Sequence, residues 1–208
     1  MTETGPLVLN LEAGDAIRKA GSAGKPVMHV EVRVVIEDGR RDADQGETGE
    51  LWVRGPAVTP GYWNQPAATQ AAFGTGGWLR TGDAVRIDDE GFIAIVDRWK
   101  DMYVSGGENV YPAEVENVLY RHPSVAEAAV IGVPDPRWGE VGCAIIVPKT
   151  GGTVGEAELL AHCAAALARY KIPRSVVFMD ALPRNAVGKV HKPTLRRQLS
   201  AIAGKPLA

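Results

Sequence analysis

The sequence predicts an α+β protein in two parts, a β-rich part over residues 1–97 and a compact α+β part over residues 98–208. Three observations carry this expectation. Short apolar runs with a two-residue period, punctuated by glycine and proline, fill the first part. Helical and strand patterns alternate in the second. Between them lies the polar stretch Asp97-Arg-Trp-Lys-Asp101, where the boundary is placed.

Taken in order, Met28, Val30, Val32, Val34 and Ile36 alternate with less apolar neighbours and predict a half-buried strand, turned by Asp38-Gly39. Residues 50–54 predict a second strand. Residues 66–73 predict a short helix, with Pro66 tolerated in its first turn. Asp89-Glu-Gly91 joins strands at 85–88 and 92–97. In the second part, residues 112–122 place Val115, Val118 and Leu119 on one helical face. Strands are expected at 125–133, 143–147 and 175–179. Helices are expected at 156–170, with Leu159, Leu160, Cys163 and Leu167 inward, and at 193–202.

Composition excludes several classes. Over 208 residues, 23 Lys and Arg oppose 25 Asp and Glu, a net charge of −2 with none of the positive excess of a dedicated nucleic-acid binder. At 45% hydrophobic the chain can bury a core and is not a disordered tail. No apolar run approaches the roughly 20 residues of a membrane helix. Residues 1–11 show no secretory signal, and Cys143 and Cys163 lack metal or redox spacing, which suits a reducing compartment. A cytoplasmic location is expected.

Candidate chemistry sits in short segments. Leu79-Arg-Thr-Gly-Asp83 is expected to end a strand in a tight turn at Gly82, with Asp83 at the tip, able to accept from ribose hydroxyls. A lone Thr-Gly-Asp is more often a surface turn. Arg98 offers a planar donor fork for ribose or phosphate oxygens. Gly106-Gly107 would let backbone pass close to a ligand, though a hairpin glycine pair reads the same way. In Pro183-Arg-Asn-Ala-Val-Gly188-Lys189, Lys189 is a mobile point charge suited to phosphate or carboxylate, in a segment that lacks the Walker A pattern. Met1-Thr-Glu-Thr4 alone carries no signal.

In series, these segments resemble the C-terminal half of the adenylate-forming superfamily: acyl-CoA synthetases, peptide-synthetase adenylation domains and beetle luciferases. The resemblance runs from Met1 to about Leu199 and includes Gly21-Ser-Ala-Gly-Lys-Pro26, Gly49-Glu-Leu-Trp-Val-Arg-Gly-Pro56 and Gly61-Tyr-Trp-Asn64. Ser105-Gly-Gly-Glu-Asn-Val-Tyr-Pro112, Val130-Ile-Gly-Val-Pro-Asp135 and Trp138-Gly-Glu140 look most like the fatty-acyl and aryl-acid CoA branch.

The resemblance implies a distorted β-barrel subdomain at 1–97 and a C-terminal lid at 98–208. It implies an ATP-dependent, AMP-forming acid–thiol ligase, in which a fatty or aryl carboxylate attacks ATP and CoA then takes the acyl group from the adenylate. ATP/AMP, Mg²⁺ and CoA are the implied ligands. Thr2 would sit at the α-phosphate and Glu3 would help hold Mg²⁺; Asp83 and Arg98 would hold the ribose. Lys100 would be the hinge, Gly106 and Gly107 would flank the CoA path, and Lys189 would be the catalytic lysine. Asn185 stands where threonine is common.

The family's Ser/Thr/Gly-rich phosphate loop and the Tyr-Gly pair before Thr2 are not in the chain. It is therefore expected to be a C-terminal part that does not adenylate usefully alone, a loss on the order of 4 kcal/mol. Other readings stay open. A peptide-synthetase adenylation domain is the alternative within the family. A non-catalytic interaction module, associating with itself or a partner through an exposed apolar face of 1–97, is the alternative outside it. The basic C-terminus (Arg184, Lys189, Lys192, Arg196, Arg197, Lys205) has no aromatic platform for nucleic acid. His29, His122, His162 and His191 lack metal spacing.

Overall fold

A computed structural model of the chain describes residues 1–36, 39–151 and 154–202. The chain divides into two compact units, Met1–Lys100 and Asp101–Ala208. The division falls after Lys100 rather than after Asp97, because Asp97 and Arg98 close the last strand of the first unit and a 3-10 turn, Trp99–Asp101, follows. The polar stretch at the expected boundary is therefore structured. Asp38 and Lys205, of the expected turn and basic C-terminus, lie outside the described residues.

The first unit opens with a 3-10 turn, Thr2–Thr4, and two short strands, β1 (Leu9–Asn10) and β2 (Lys25–Pro26), paired antiparallel. Its main sheet comprises β3 (Glu31–Ile36), β4 (Arg41–Asp42), β5 (Thr48–Arg54), then helix α1 (Pro66–Ala72), β6 (Leu79–Ile87) and β7 (Ile93–Arg98). The order β4-β3-β5-β6-β7 is an open antiparallel sheet. No barrel closes among the described residues, so the expected distorted barrel is corrected to an open sheet. The strand expected from Met28 begins only at Glu31, because His29 adopts φ 66° and breaks the extended run. On β5, Leu51 and Val53 face a cluster with Val34, Val85 and Ile93, while Trp52 packs on the other side with Val35 and Trp78. Of the other tryptophans, Trp99 is only half-buried and Trp63 is 89% exposed.

The second unit contains β8 (Tyr103–Ser105), β9 (Glu108–Val110), α2 (Pro112–Tyr120), β10 (Val125–Asp135), β11 (Gly139–Pro148), α3 (Glu156–Ala164), β12 (Ser175–Phe178) and α4 (Lys192–Ile202). Strands β10 and β11 pair antiparallel at the centre, and β12 joins β11 in parallel. Both central strands are covered on both faces, so they read as unbroken apolar runs. Ala128, Val130, Ala144 and Ile146 pack with Val115, Leu119, Leu159 and Cys163 from α2 and α3. The alternate residues Ala129, Ile131, Cys143 and Ile145 pack with Leu195 and Leu199, one turn apart on α4.

Helix α3 stops at Ala164, short of the expected Tyr170. The Ala166 and Leu167 N–H groups both return to the Cys163 carbonyl, and Ala168 is extended. Leu167 still reaches the core, while Lys171 beyond it is tied to both Glu114 oxygens at 2.7 Å. Among the described residues no helix is long and apolar enough to cross a membrane.

Both cysteines are buried in the second unit. Burial pushes the Cys163 thiol up to about 11 and raises Cys143 above its ordinary range. Only the thiolate attacks disulfide reagents. Neither thiol of the folded protein should therefore react with Ellman's reagent within minutes at pH 7.5, and both should react in guanidinium. Fast reaction of a native thiol would contradict the burial.

Candidate functional site

Of the expected site residues of the first unit, Asp83 and Arg98 meet beside an irregularity in its sheet. Strand β5 pairs Glu50 with Ala84 and Trp52 with Arg80, so Leu51 alone faces Thr81, Gly82 and Asp83. The Thr-Gly-Asp segment is thus a bulge inside β6, not the tip of a turn at a strand end. Gly82, at φ 70°, supplies the left-handed residue the bulge requires. The interrupted ladder leaves backbone groups to be met by side chains. The Thr81 hydroxyl donates to the Leu51 carbonyl at 2.7 Å and accepts the Asp83 N–H at 3.1 Å. The Gly82 N–H donates to Glu50 Oε1 at 3.0 Å.

Beyond the bulge, β6 pairs with β7 and sets Asp83 opposite Arg98. Arg98 Nη1 donates to Asp83 Oδ1 at 2.8 Å, with the arginine side chain half exposed. An exposed pair of this kind contributes about 0–1 kcal/mol. It is therefore weak enough for both groups to turn to a ligand. Glu50 differs, being 6% exposed and carrying the Trp52 indole N–H at 2.8 Å on its second oxygen. Hydrogen bonds to a charged group contribute about 1.5–3 kcal/mol each. The shape of the bulge is held there and not at the ion pair.

Thr2 is exposed and Glu3 half-buried in the opening 3-10 turn, which Gly5 ends at φ 68°. The Glu3 carbonyl accepts the Thr59 N–H at 2.7 Å, and its carboxylate accepts the Tyr62 hydroxyl at 3.0 Å. Lys100 is exposed in the 3-10 turn that ends the unit. Trp78 is buried against Trp52. A cleft of the first unit, about 420 Å³ between Asn10, Asp15, Lys25, Met28 and Phe92, includes none of these residues.

In the second unit, Gly106 and Gly107 form the two-residue β8–β9 turn at φ 61° and 89°, the conformation such a hairpin favours. The Gly106 N–H donates to the Trp138 carbonyl at 2.9 Å. A Cβ on Gly106 would stand 2.7 Å from the Trp138 ring. Trp138 is fixed by Asp135, whose Oδ1 accepts the Arg137 and Trp138 N–H groups at 2.8 Å. The Trp138 amide, then that of Arg137, holds the Asp135 carboxyl below the usual carboxylate range. That turn therefore persists at neutral pH and loosens only as pH falls through the depressed value.

Lys189 is exposed, and among the described residues its ammonium has no hydrogen-bond or ion-pair partner. Its backbone is well fixed. Asn185 Oδ1 accepts the Val187 and Lys189 N–H groups at 3.1 and 2.9 Å, a turn-forming role open to this short polar side chain. Arg184 donates to the Gly188 carbonyl at 2.7 Å and pairs with Glu127 on β10 at 2.5 Å. Lys192 pairs with Glu116, so much of the basic C-terminus is already engaged. His122 contacts Glu158 and stacks edge-on with His162 at 5.1 Å. No group of three or more potential metal ligands occurs among the described residues.

The descriptor for AMP-binding enzymes matches residues 1–63, and that for the AMP-binding enzyme C-terminal domain matches residues 114–189. The chain belongs to the AMP-binding enzymes. It is similar to a feruloyl-CoA synthase of Amycolatopsis, 48% identical across 95% of this chain and 40% of that protein. A long-chain-fatty-acid–CoA ligase of Mycobacterium tuberculosis is 49% identical across 92% of this chain and 37% of its own length. Among solved structures, o-succinylbenzoate CoA synthetase of Bacillus subtilis with its acyl-adenylate superposes with a TM-score of 0.86 at 44% identity. That match covers 96% of this chain and 39% of the other. The chain thus spans about 40% of the length of the curated relatives it matches.

In this chain, the positioning parts played by Glu50, Thr81 and Arg184 were not read from the sequence. The signal for Glu50 was present, a charged residue beside the apolar run Leu51-Trp-Val53. The glycine pair supplies a direct test. Gly106→Ala should destabilise the second unit by about 1–2 kcal/mol through its left-handed backbone alone, with displacement of Trp138 added. Gly107→Ala, in open space, should cost only the backbone strain. Urea unfolding followed by the amide signals of β10 and β11 measures both, and equal costs would contradict the Trp138 contact.

Proposed function

We propose that this chain supplies the ribose-binding edge and the lid of an ATP-dependent, AMP-forming acid–thiol ligase, an acyl-CoA synthetase. The observation that carries the reading is the Asp83–Arg98 pair, set side by side by strand register next to a bulge. Asp83 would accept from the ribose hydroxyls, and Arg98 would turn a planar donor face to ribose or phosphate oxygens. Thr2 would donate to the α-phosphate. Glu3, a single carboxylate, suits Mg²⁺ that arrives with ATP and keeps phosphate and water ligands. The metal would neutralise phosphate charge.

In the first step the substrate carboxylate attacks the α-phosphate and pyrophosphate leaves. Lys189, exposed and without a partner among the described residues, would meet the charge that develops on the phosphoryl oxygens. In the second, the CoA thiol attacks the acyl carbon of the mixed anhydride and AMP leaves. Gly106 and Gly107 would flank the CoA path, and Lys100 would be the hinge between the two arrangements. The relatives include feruloyl-, fatty-acyl-, indoleacetate- and succinylbenzoate-CoA ligases, which supports a fatty or aryl carboxylic acid as substrate. Ile17, Met28 and Trp63, 93%, 83% and 89% exposed, favour burial of part of the first unit against a further protein surface, a second copy included.

Isothermal titration of the chain with AMP tests the reading. Measurable binding is expected, weakened tenfold or more by Asp83→Asn, which removes the charge and one ribose acceptor. Binding unaffected by Asp83→Asn would overturn the assignment of this edge to the nucleotide.

A further inference from the structure

We propose that Glu50 is the positioning residue of the ribose edge, and that its buried carboxylate sets how tightly the ribose hydroxyls are held. The proposal rests on the reading of Asp83 and Arg98 as ribose-binding residues. Glu50 lies on the neighbouring strand β5 and would act through the backbone of Gly82.

Asp83 is presented by a bulge in which no ladder hydrogen bond reaches the Gly82 N–H. Glu50 Oε1 takes that bond. Its other oxygen takes the Trp52 indole N–H, with Arg80 Nε 3.5 Å away. Trp52 cannot drift, because its ring is buried with Val35 and Trp78. The carboxylate is thus pinned on one side by a core tryptophan and pins the bulge on the other. Thr81, the remaining fastener, ties the bulge to Leu51 through a neutral hydroxyl that bonds the Asp83 N–H rather than that of Gly82.

The chemistry at position 50 is specific. A carboxylate presents acceptors at both oxygens, and both face N–H donors. Glutamine has the same shape but presents an amide nitrogen at one of the two, so either Gly82 or Trp52 must lose its bond and face a like donor. Aspartate is one methylene shorter and cannot reach from β5 to both. Released at Gly82, the bulge can relax toward ordinary pairing, and Asp83 then leaves its register opposite Arg98. A group that acts this way affects recognition of the ribose hydroxyls while leaving contacts to base and phosphate in place.

The test compares wild type, Glu50→Gln and Asp83→Asn for binding of AMP and of 2′,3′-dideoxy-AMP, which lacks the hydroxyls. Wild type is expected to prefer AMP by tenfold or more. Glu50→Gln should bring that ratio near one, as Asp83→Asn does, with little change in affinity for the dideoxy nucleotide. A role confined to fold stability would leave the ratio intact. In the unliganded chain, Glu50→Gln should speed amide exchange at Gly82 tenfold or more, with Val34 and Val35 unchanged. Trp52→Phe, which removes one donor and keeps most of the ring volume, gives a second variant should Glu50→Gln fail to fold. It should lower the AMP preference at least threefold. An unchanged ratio in the folded variants, or unchanged exchange at Gly82, overturns the proposal. Should wild type show no preference for AMP, the ribose reading fails, and exchange at Gly82 still decides whether Glu50 holds the bulge.

Discussion

A carboxylate held between a buried indole and a backbone amide is the constraint on which the first unit's candidate site depends. Glu50 meets Trp52 and Gly82 at once, and the three residues opposite Leu51 keep a shape that ordinary strand pairing would erase. The Asp83–Arg98 pair could not do this itself, since an exposed ion pair contributes too little to order a strand. Stability and ligand contact are thereby separated. The buried bonds fix the backbone, and the exposed groups stay available.

The second unit solves a similar problem at its exposed turns. Its exposed turns stand on a sheet buried on both faces, and the side chains that shape them are short and polar. Asp135 fixes the turn carrying Trp138, against which Gly106 rests, and Asn185 with Arg184 fixes the turn carrying Lys189. At Lys189 the side chain has no partner among the described residues, while the backbone is held. Function in such a unit needs a charge that can move on a base that does not.

Patterns with a strong period were readable from the sequence. Helix α2, with Val115, Val118 and Leu119 inward, follows from 3.6-residue spacing, and a last helix was expected at 193–202, where α4 lies. The motif residues Asp83, Arg98, Gly106, Gly107 and Lys189 were also visible, because their residue types and order are distinctive. The bulge was not, since a left-handed glycine leaves the apolar alternation of β6 intact and reads equally as a turn. The end of α3 was hidden because Ala165, Ala166 and Leu167 continue a helical pattern while the backbone turns back on Cys163. Closure of the first sheet was expected only by resemblance. Glu50 was visible as a residue but not as a role, since its two donors come from different strands.

The account stands on Asp83 and Arg98 forming one nucleotide-binding edge in the chain's own fold. Amide chemical shifts mapped during titration with AMP measure this most directly. The account predicts the largest changes at Gly82, Asp83 and Arg98, with β3 and β4 silent. Changes centred instead on the cleft beside Phe92, or spread evenly over the first unit, would contradict it.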